Sequence, residues 1–235
     1  VYSYPHQNHA TMEVMNATVL VTPAGAGGAA RCEVWTPTQN GEAALAAAAE
    51  ASGLPPAACE VYKLHLGGGF GRRGQTDWVR QAVMIAKEVP GVPIKLIWSR
   101  EDDMTHDFYR PIGYNQVHGG LDANGKPVGL HFKVTSQSIT QRAFGLPKDT
   151  MDPFMVEAAV APYNIPNTQH DLVIHDAGLR VGYWRGVSHN MNVFANESFV
   201  DEMALAAGKD PVEYRMSMLD GKPRFQNVLK LATEK

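Results

Sequence analysis

The feature that most constrains this 235-residue chain is a glycine-rich run between a strand-like segment and a helix-like segment. It reads Gly67-Gly68-Gly69-Phe70-Gly71-Arg72-Arg73. Glycines adopt left-handed backbone conformations and let N–H groups approach a ligand, and a following helix directs its positive end to the same place. We therefore expect the loop to bind an anionic group, with the forked donors of Arg72 and Arg73 available to phosphate. The alternative is a structural turn that binds nothing.

Composition indicates a globular protein with a hydrophobic core. Hydrophobic residues make up 44% of the chain, charged residues 19%, and the formal net charge is -3, which argues against nucleic-acid binding. Cys32 and Cys59 lack the spacing of a zinc site, so we expect two free thiols rather than one disulfide. No apolar run approaches the roughly 20 residues of a membrane-spanning helix. We expect a soluble piece of a longer subunit.

The order of the predicted elements favours an α+β (mixed α/β) fold. Residues 1–110 alternate strands and helices around the glycine loop, in a βαβαβ-like order. Residues 111–235 contain a hairpin about Asn124-Gly125, an irregular segment over 140–167, and consecutive helices. The predicted helices are 41–52, 76–89, 190–207 and one beginning at Asp210-Pro211, and the predicted strands include 31–35, 60–66, 94–98 and 172–175.

A dinucleotide-binding Rossmann domain is a rival interpretation. Residues 69–74 form a G-x-G-x-x-G string, and acidic residues follow the next predicted strand at 101–103. Against this, the preceding strand is not the first of its domain, and bulky Phe70 stands between the glycines.

Two further turns are candidates for the same site. Gln39 follows the strand 31–35, so it should lie at the same sheet edge as the glycine loop if the two strands are parallel neighbours. The alternative is that Thr38 and Gln39 are simple helix-capping residues. Arg185 lies in a turn before a helix, where it either clamps an anion or is solvated. His6, His9 and Glu13 form only a weak metal pattern.

Together these strings resemble the large, molybdopterin-binding subunit of the molybdenum hydroxylases related to xanthine dehydrogenase. The matching strings, in the family's order, are Trp35-Thr36-Pro37-Thr38-Gln39-Asn40, Gly67-Gly68-Gly69-Phe70-Gly71 and Tyr183-Trp184-Arg185-Gly186. The branch formed by the isoquinoline oxidoreductase β-subunits is suggested by Gly71-Arg72-Arg73, His9-Ala10-Thr11-Met12-Glu13, 100–104 and 196–202.

The resemblance implies roles for particular residues. Gln39 would hydrogen-bond a ligand of molybdenum, and Arg185, Gly186 and Val187 would form a wall opposite the loop. The loop residues Gly68, Gly69, Phe70 and Gly71 would lie against the metal centre and pterin. Arg72 and Arg73 would suit the phosphates of a cytosine dinucleotide form of the cofactor.

The resemblance also implies an activity and partners. The expected reaction is hydroxylation of an N-heterocycle or aldehyde with water as oxygen source, with electrons passing to iron–sulfur clusters in a small [2Fe-2S] subunit. The family's catalytic glutamate is expected in the remainder of the large subunit, so this segment alone should be inactive. Cytoplasmic and periplasmic locations both remain open, and a non-catalytic binding or assembly module remains an alternative.

Overall fold

The computed structural model describes residues 1–25 and 28–234. These divide into two compact units. The glycine-loop unit comprises Asn8–Arg110 together with Gly182–Arg185, and the hairpin unit comprises Val1–Gln7, Pro111–Val181 and Gly186–Lys235. One boundary between the units falls at 110/111, and the short segments Val1–Gln7 and Gly182–Arg185 each group with the unit that is remote from them in sequence.

The glycine-loop unit is built on a four-stranded mixed sheet. Its strands are β2 (Asn16–Thr22), β3 (Arg31–Thr36), β4 (Cys59–Lys63) and β5 (Ile94–Ile97), in the order β4-β3-β2-β5. Only β3 and β4 are parallel, and β2 is antiparallel to both of its neighbours. One βαβ crossover thus exists where the alternation predicted βαβαβ, and the sheet is not the parallel sheet of a Rossmann domain.

Helices α1 (Gly41–Ser52), α2 (Asp77–Lys87) and α3 (Arg100–Thr105) complete this unit. The side chain of Asn40 caps α1 by accepting from the Ala43 N–H, and Gly53 ends the helix in the left-handed conformation. Ala44, Ala47 and Ala48 pack with Trp78 in the core, where small side chains allow close approach of helix and sheet. These contacts fix the start of α1, and hence the position of Gln39.

The hairpin unit has its own mixed sheet, in the order β1-β6-β7-β8, where β1 is Tyr2–Tyr4. The predicted hairpin is confirmed as β6 (Gly113–Leu121) and β7 (Pro127–Ser136), and β8 (Asn167–Ile174) is parallel to β7. The helices of this unit are α4 (Ile139–Phe144), α5 (His189–Ala206), α6 (Pro211–Ser217) and α7 (Pro223–Thr233). Asp210 caps α6 as predicted.

The α+β fold class is confirmed, but some boundaries differ from those predicted. The strand expected over 60–66 ends at Lys63, because its parallel neighbour β3 ends at Thr36. The Leu64 N–H still donates to the Thr36 carbonyl at 3.1 Å, and residues 64–66 are exposed. The segment after Trp98 contains α3, which a Ser99–Asp102 capping box begins. Ser188 adopts a helical conformation and makes no side-chain cap for α5. Within 1–25 and 28–234, no helix is long and apolar enough to cross a membrane.

Candidate cofactor site

The structure brings Gln39 and the glycine loop together at the carboxyl ends of the parallel strands β3 and β4. The Gln39 side-chain oxygen Oε1 accepts from the N–H of Gly71 at 3.0 Å and from the N–H of Arg73 at 3.2 Å. The Gln39 backbone N–H donates to the Arg73 carbonyl at 3.0 Å. With Oε1 held by two donors, the amide group of this exposed residue keeps its Nε2 donor for another partner.

The glycines are required by the close packing of the loop. A Cβ atom at Gly69 would lie 2.6 Å from Gln39 Oε1, and one at Gly67 would overlap the side chain of Glu13. Gly68 and Gly71 have φ angles of 102° and 106°, which side chains rarely adopt. The loop therefore depends on glycine both for space and for conformation.

Three successive N–H groups of this loop face no acceptor. Within the described chain, the backbone nitrogens of Gly68, Gly69 and Phe70 donate no hydrogen bond. Phe70 itself has a φ of 54°, a strained value for a bulky residue, and the residue is 41% exposed. Such strain is typical of functional sites, and the loop presents donors rather than acceptors to a ligand.

Arg73 is an internal brace of the loop. Its side chain is fully buried, and Nε donates to the Gly68 carbonyl at 2.7 Å. The other guanidinium nitrogens donate to the carbonyls of Pro37 and Glu13 and to the Glu13 carboxylate. Burial lowers the pKa of Arg73, and the Glu13 carboxylate opposes that effect. Every guanidinium nitrogen is therefore committed to the protein.

Arg72 is buried in a second, separate arrangement. It is 1% exposed and makes a bidentate pair with Asp77 at 2.9 and 2.8 Å. Its Nε lies 3.2 Å from Asp107 Oδ1, without the alignment of a hydrogen bond. The guanidinium carbon lies 5.2–5.5 Å from three aromatic ring centroids, those of Trp78, Trp98 and Phe108.

These contacts correct the role expected for the two arginine side chains. The sequence suggested that Arg72 and Arg73 offer their guanidinium groups to phosphate, but both side chains point into the protein and are already paired. Their backbone groups contribute to the loop, whereas their side chains hold it in place.

The segment Gly182–Arg185, named here the arginine turn, packs on the glycine loop within the same unit. The Arg185 backbone N–H donates to the Phe70 carbonyl at 2.9 Å. A Cβ atom at Gly71 would overlap the carbonyl oxygen of Tyr183. The indole N–H of Trp184 donates to the Asn8 carbonyl at 3.2 Å. The Arg185 side chain is exposed.

Gly186 and Val187 belong to the hairpin unit. Gly186 has a φ of 89°, and Val187 has a φ of 50°, which is strained for a β-branched residue. Thus Val187, like Phe70, occupies one of the strained non-glycine positions of the described chain. The cofactor roles inferred for Gly186 and Val187 stay predictions.

Sequence reasoning missed the acidic residues that organise the site. Asp107 accepts from the His9 backbone N–H at 2.7 Å and lies 2.9 Å from the His9 ring nitrogen Nδ1. Burial alone would raise the pKa of Asp107, but hydrogen bonds from His9 and from the Phe108 N–H lower it overall. No pattern in the sequence links Asp107 to residues nearly a hundred positions earlier. No metal-binding group of three or more His, Cys, Asp or Glu residues occurs in the described ranges.

The glycine loop thus combines strained positions, unpaired N–H donors and a fixed glutamine amide, an arrangement suited to an electron-rich ligand. The model of the molybdopterin cofactor-binding domain family matches residues 1–219. This chain therefore belongs to the molybdopterin cofactor-binding domain family. The match gives no support to the Rossmann alternative.

Relatives agree with this assignment. The chain is 27% identical over 241 residues to a nicotinate dehydrogenase subunit of Pseudomonas putida, covering 100% of this chain and 20% of the relative. It is 29% identical over 208 residues to the β-subunit of isoquinoline 1-oxidoreductase of Brevundimonas diminuta, covering 86% of this chain and 26% of the relative. The aldehyde oxidoreductase of Desulfovibrio gigas has the same fold, with a TM-score of 0.71 and 20% identity over 92% of this chain and 23% of that one. The chain thus spans about a quarter or less of the length of these proteins.

Proposed function

We propose that this chain forms part of the large subunit of a molybdenum hydroxylase, and that its glycine loop and Gln39 hold the cofactor. The observation that carries this proposal is the donor set. Gly68, Gly69 and Phe70 offer unpaired N–H groups, and Gln39 offers Nε2 from an amide whose oxygen is already bound. Neutral donors without a competing acceptor suit electron-rich cofactor atoms, because they stabilise negative charge without supplying a proton.

The surrounding packing also fits such a group. Gly69 packs directly on the Gln39 amide and leaves no room for a side chain between them, so the loop meets this amide with backbone alone. Arg185, Gly186 and Val187 are proposed as a second wall. We also propose the cytosine dinucleotide form of the cofactor. The side chains of Arg72 and Arg73 give this form no support, because they are buried.

In the proposed mechanism, the bound cofactor supplies two-electron oxidation of a carbon with oxygen taken from water. Gln39 orients the reacting groups, because two backbone N–H groups hold its amide oxygen and leave Nε2 as the donor that faces them. The loop N–H groups stabilise negative charge that develops during the reaction. In this proposal, the residues of this chain position and polarise the reacting groups. The proton-accepting glutamate is proposed to lie in the remainder of the subunit.

The proposed substrate is an N-heterocycle or an aldehyde. The names of the relatives support this range, since they include a nicotinate dehydrogenase, an isoquinoline 1-oxidoreductase and an aldehyde oxidoreductase. The proposed partners are the remainder of the large subunit and a small [2Fe-2S] subunit that receives the electrons. We propose that residues 1–235 alone, as a partial molybdopterin-binding region, do not turn over.

Two substitutions of Gln39 in the full-length enzyme test this function. Gln39→Glu keeps an oxygen for the N–H groups of Gly71 and Arg73 but replaces the donor Nε2 by an acceptor. We expect kcat to fall about 100-fold with molybdenum and pterin content retained, the usual effect of removing one preorganised donor.

Gln39→Met removes the acceptor as well, so it should also reduce the cofactor content. The matched control is Gln226→Met on α7, in the other unit, which should change neither quantity. Gln39→Glu with unchanged kcat would contradict the donor role. Purification of the wild-type complex without molybdenum or pterin would contradict the proposed function as a whole.

A further inference from the structure

We propose that His9 is held as an imidazolium cation and that, in this form, it is a positioning residue that fastens the arginine turn to the glycine loop. His9 is 6% exposed. Its ring nitrogen Nδ1 lies 2.9 Å from Asp107 Oδ1, and Nε2 lies 2.9 Å from the carbonyl oxygen of Tyr183. Both ring nitrogens therefore face oxygen atoms that accept hydrogen bonds.

The partners determine where the protons lie. A backbone carbonyl only accepts, so Nε2 must carry a hydrogen. A neutral imidazole has one N–H group, and with that hydrogen on Nε2 the Nδ1 atom would be an acceptor facing a carboxylate. The contact at Nδ1 is satisfied in either of two ways: His9 is protonated on both nitrogens, or Asp107 carries a proton and His9 is neutral.

The surroundings of Asp107 favour the ionised carboxylate. It accepts from the backbone N–H groups of His9 and Phe108, each at 2.7 Å, and Arg72 Nε lies 3.2 Å away. Donors and a cation at these distances stabilise the charged form of a carboxyl group. With Asp107 ionised, Nδ1 must donate, and the ring of His9 carries a positive charge.

The other charged groups of this region leave Asp107 available as the counter-ion of His9. Arg72 has its own bidentate partner in Asp77, and Asp103 is paired with Arg100 at 2.7 Å. Asp107 is therefore the carboxylate that faces His9 directly. The resulting pair is buried and hydrogen-bonded on both sides, as a buried ion pair must be in order to persist.

The second hydrogen bond of the ring gives this cation its role. The Tyr183 carbonyl that it binds is the group that packs on Gly71, and the Arg185 N–H holds Phe70 two residues further along the turn. His9 is followed by Ala10 at a φ of 45°, so the backbone bends sharply where it presents the ring. His9 thereby orders the turn beside the loop; its effect on catalysis rests on the function proposed above, whereas its protonation state does not.

Neutron diffraction of the full-length enzyme near neutral pD tests the charge directly. Deuterium on both Nδ1 and Nε2 of His9, with none on the Asp107 carboxylate, is the expected result. A single deuterium on the ring would overturn the proposal. Because this measurement needs no turnover and no assigned substrate, its outcome is independent of whether the molybdenum hydroxylase function is correct.

Substitution tests the positioning role. His9→Gln is neutral and carries both of its N–H donors on one nitrogen, so it cannot span the two oxygen atoms that the two ring nitrogens of His9 contact. We therefore expect hydrogen exchange in a peptide containing the Arg185 amide to accelerate about tenfold or more, the scale of a lost hydrogen bond to a charged group. His9→Lys retains charge and several donors and should recover part of the protection.

The control is His106→Gln, which makes the same chemical change at an exposed position. It should leave exchange at Arg185 unchanged. Wild-type exchange in His9→Gln would refute the positioning role. If His9→Gln does not fold, the comparison of His9→Lys with His106→Gln and the neutron map decide the question. Faster exchange with unchanged kcat would leave the positioning role intact and count against the proposed function.

Discussion

Substitution of Gly71 by alanine perturbs the site where the glycine loop and the arginine turn are in closest contact. An alanine Cβ would overlap the Tyr183 carbonyl oxygen and lie 2.7 Å from its carbon, and the residue would have to keep a φ of 106°. The backbone strain costs about 1–3 kcal/mol, and loss of the hydrogen bond from His9 costs about 1.5–3 kcal/mol. We therefore expect local destabilisation of roughly 3–5 kcal/mol.

Hydrogen exchange measured by mass spectrometry on the full-length enzyme reports this local destabilisation at the arginine turn itself. Destabilisation on this scale corresponds to exchange that is more than about 100-fold faster in a peptide containing the Arg185 amide. Gly74→Ala is the matched control, because no atom lies within 4 Å of its Cβ position and its φ is not in the left-handed region. If the Gly71→Ala and Gly74→Ala variants show the same exchange rate in this peptide, the close packing of the arginine turn on the glycine loop is contradicted.

Three further outcomes follow from the same geometry. In Gly69→Ala the new Cβ would lie 2.6 Å from Gln39 Oε1, and the φ of residue 69 is not in the left-handed region. We expect kcat to fall about tenfold or more, because the substitution displaces the Gln39 amide without straining the backbone. An unchanged kcat would count against the proposed role of that amide. Arg72→Met should lower the free energy of unfolding by about 3–5 kcal/mol, since it leaves the partly buried Asp77 carboxylate without its bidentate partner and removes a buried cation from beside Asp107, whereas Arg80→Met at an exposed ion pair should cost about 1 kcal/mol or less. Equal losses in denaturant titrations would contradict the structural role of Arg72. Burial raises the pKa of the Cys32 thiol to about 11, so Cys32 of the folded protein should resist iodoacetamide at pH 9, and rapid labelling would refute this. Between the ordinary thiol pKa and about 11, only the unfolded thiol ionises, so the free energy of unfolding should fall as the pH rises through this range.

The elements that local signals define were predictable from sequence. Helix α1 matches its prediction because Asn40 and Gly53 cap it through contacts with its own backbone. The hairpin turn at Asn124-Gly125 was predictable for the same reason, since Gly125 takes a φ of 73° within a few residues of both strands. The convergence of Gln39 with the glycine loop followed from one parallel strand pair.

What escaped prediction depends on contacts between distant residues. A pair of arginines beside a glycine loop suggests phosphate binding, and only the tertiary structure shows that Asp77, Asp107 and Glu13 already hold their guanidinium groups. The antiparallel placement of β2 was hidden because alternating strands and helices look alike in parallel and mixed sheets. The strand end at Lys63 is likewise set by its neighbour, since β3 pairs with β4 only as far as that residue.

In the proposed site, the unpaired donors of Gln39 and the glycine loop face the molybdenum cofactor. An experimental structure of the full-length enzyme with its cofactor bound measures this directly. We expect Gln39 Nε2 at about 3 Å from a ligand of molybdenum, and the N–H groups of Gly69 and Phe70 against the same cofactor. A cofactor bound elsewhere, with the Gln39 amide and these N–H groups facing only solvent, would contradict it.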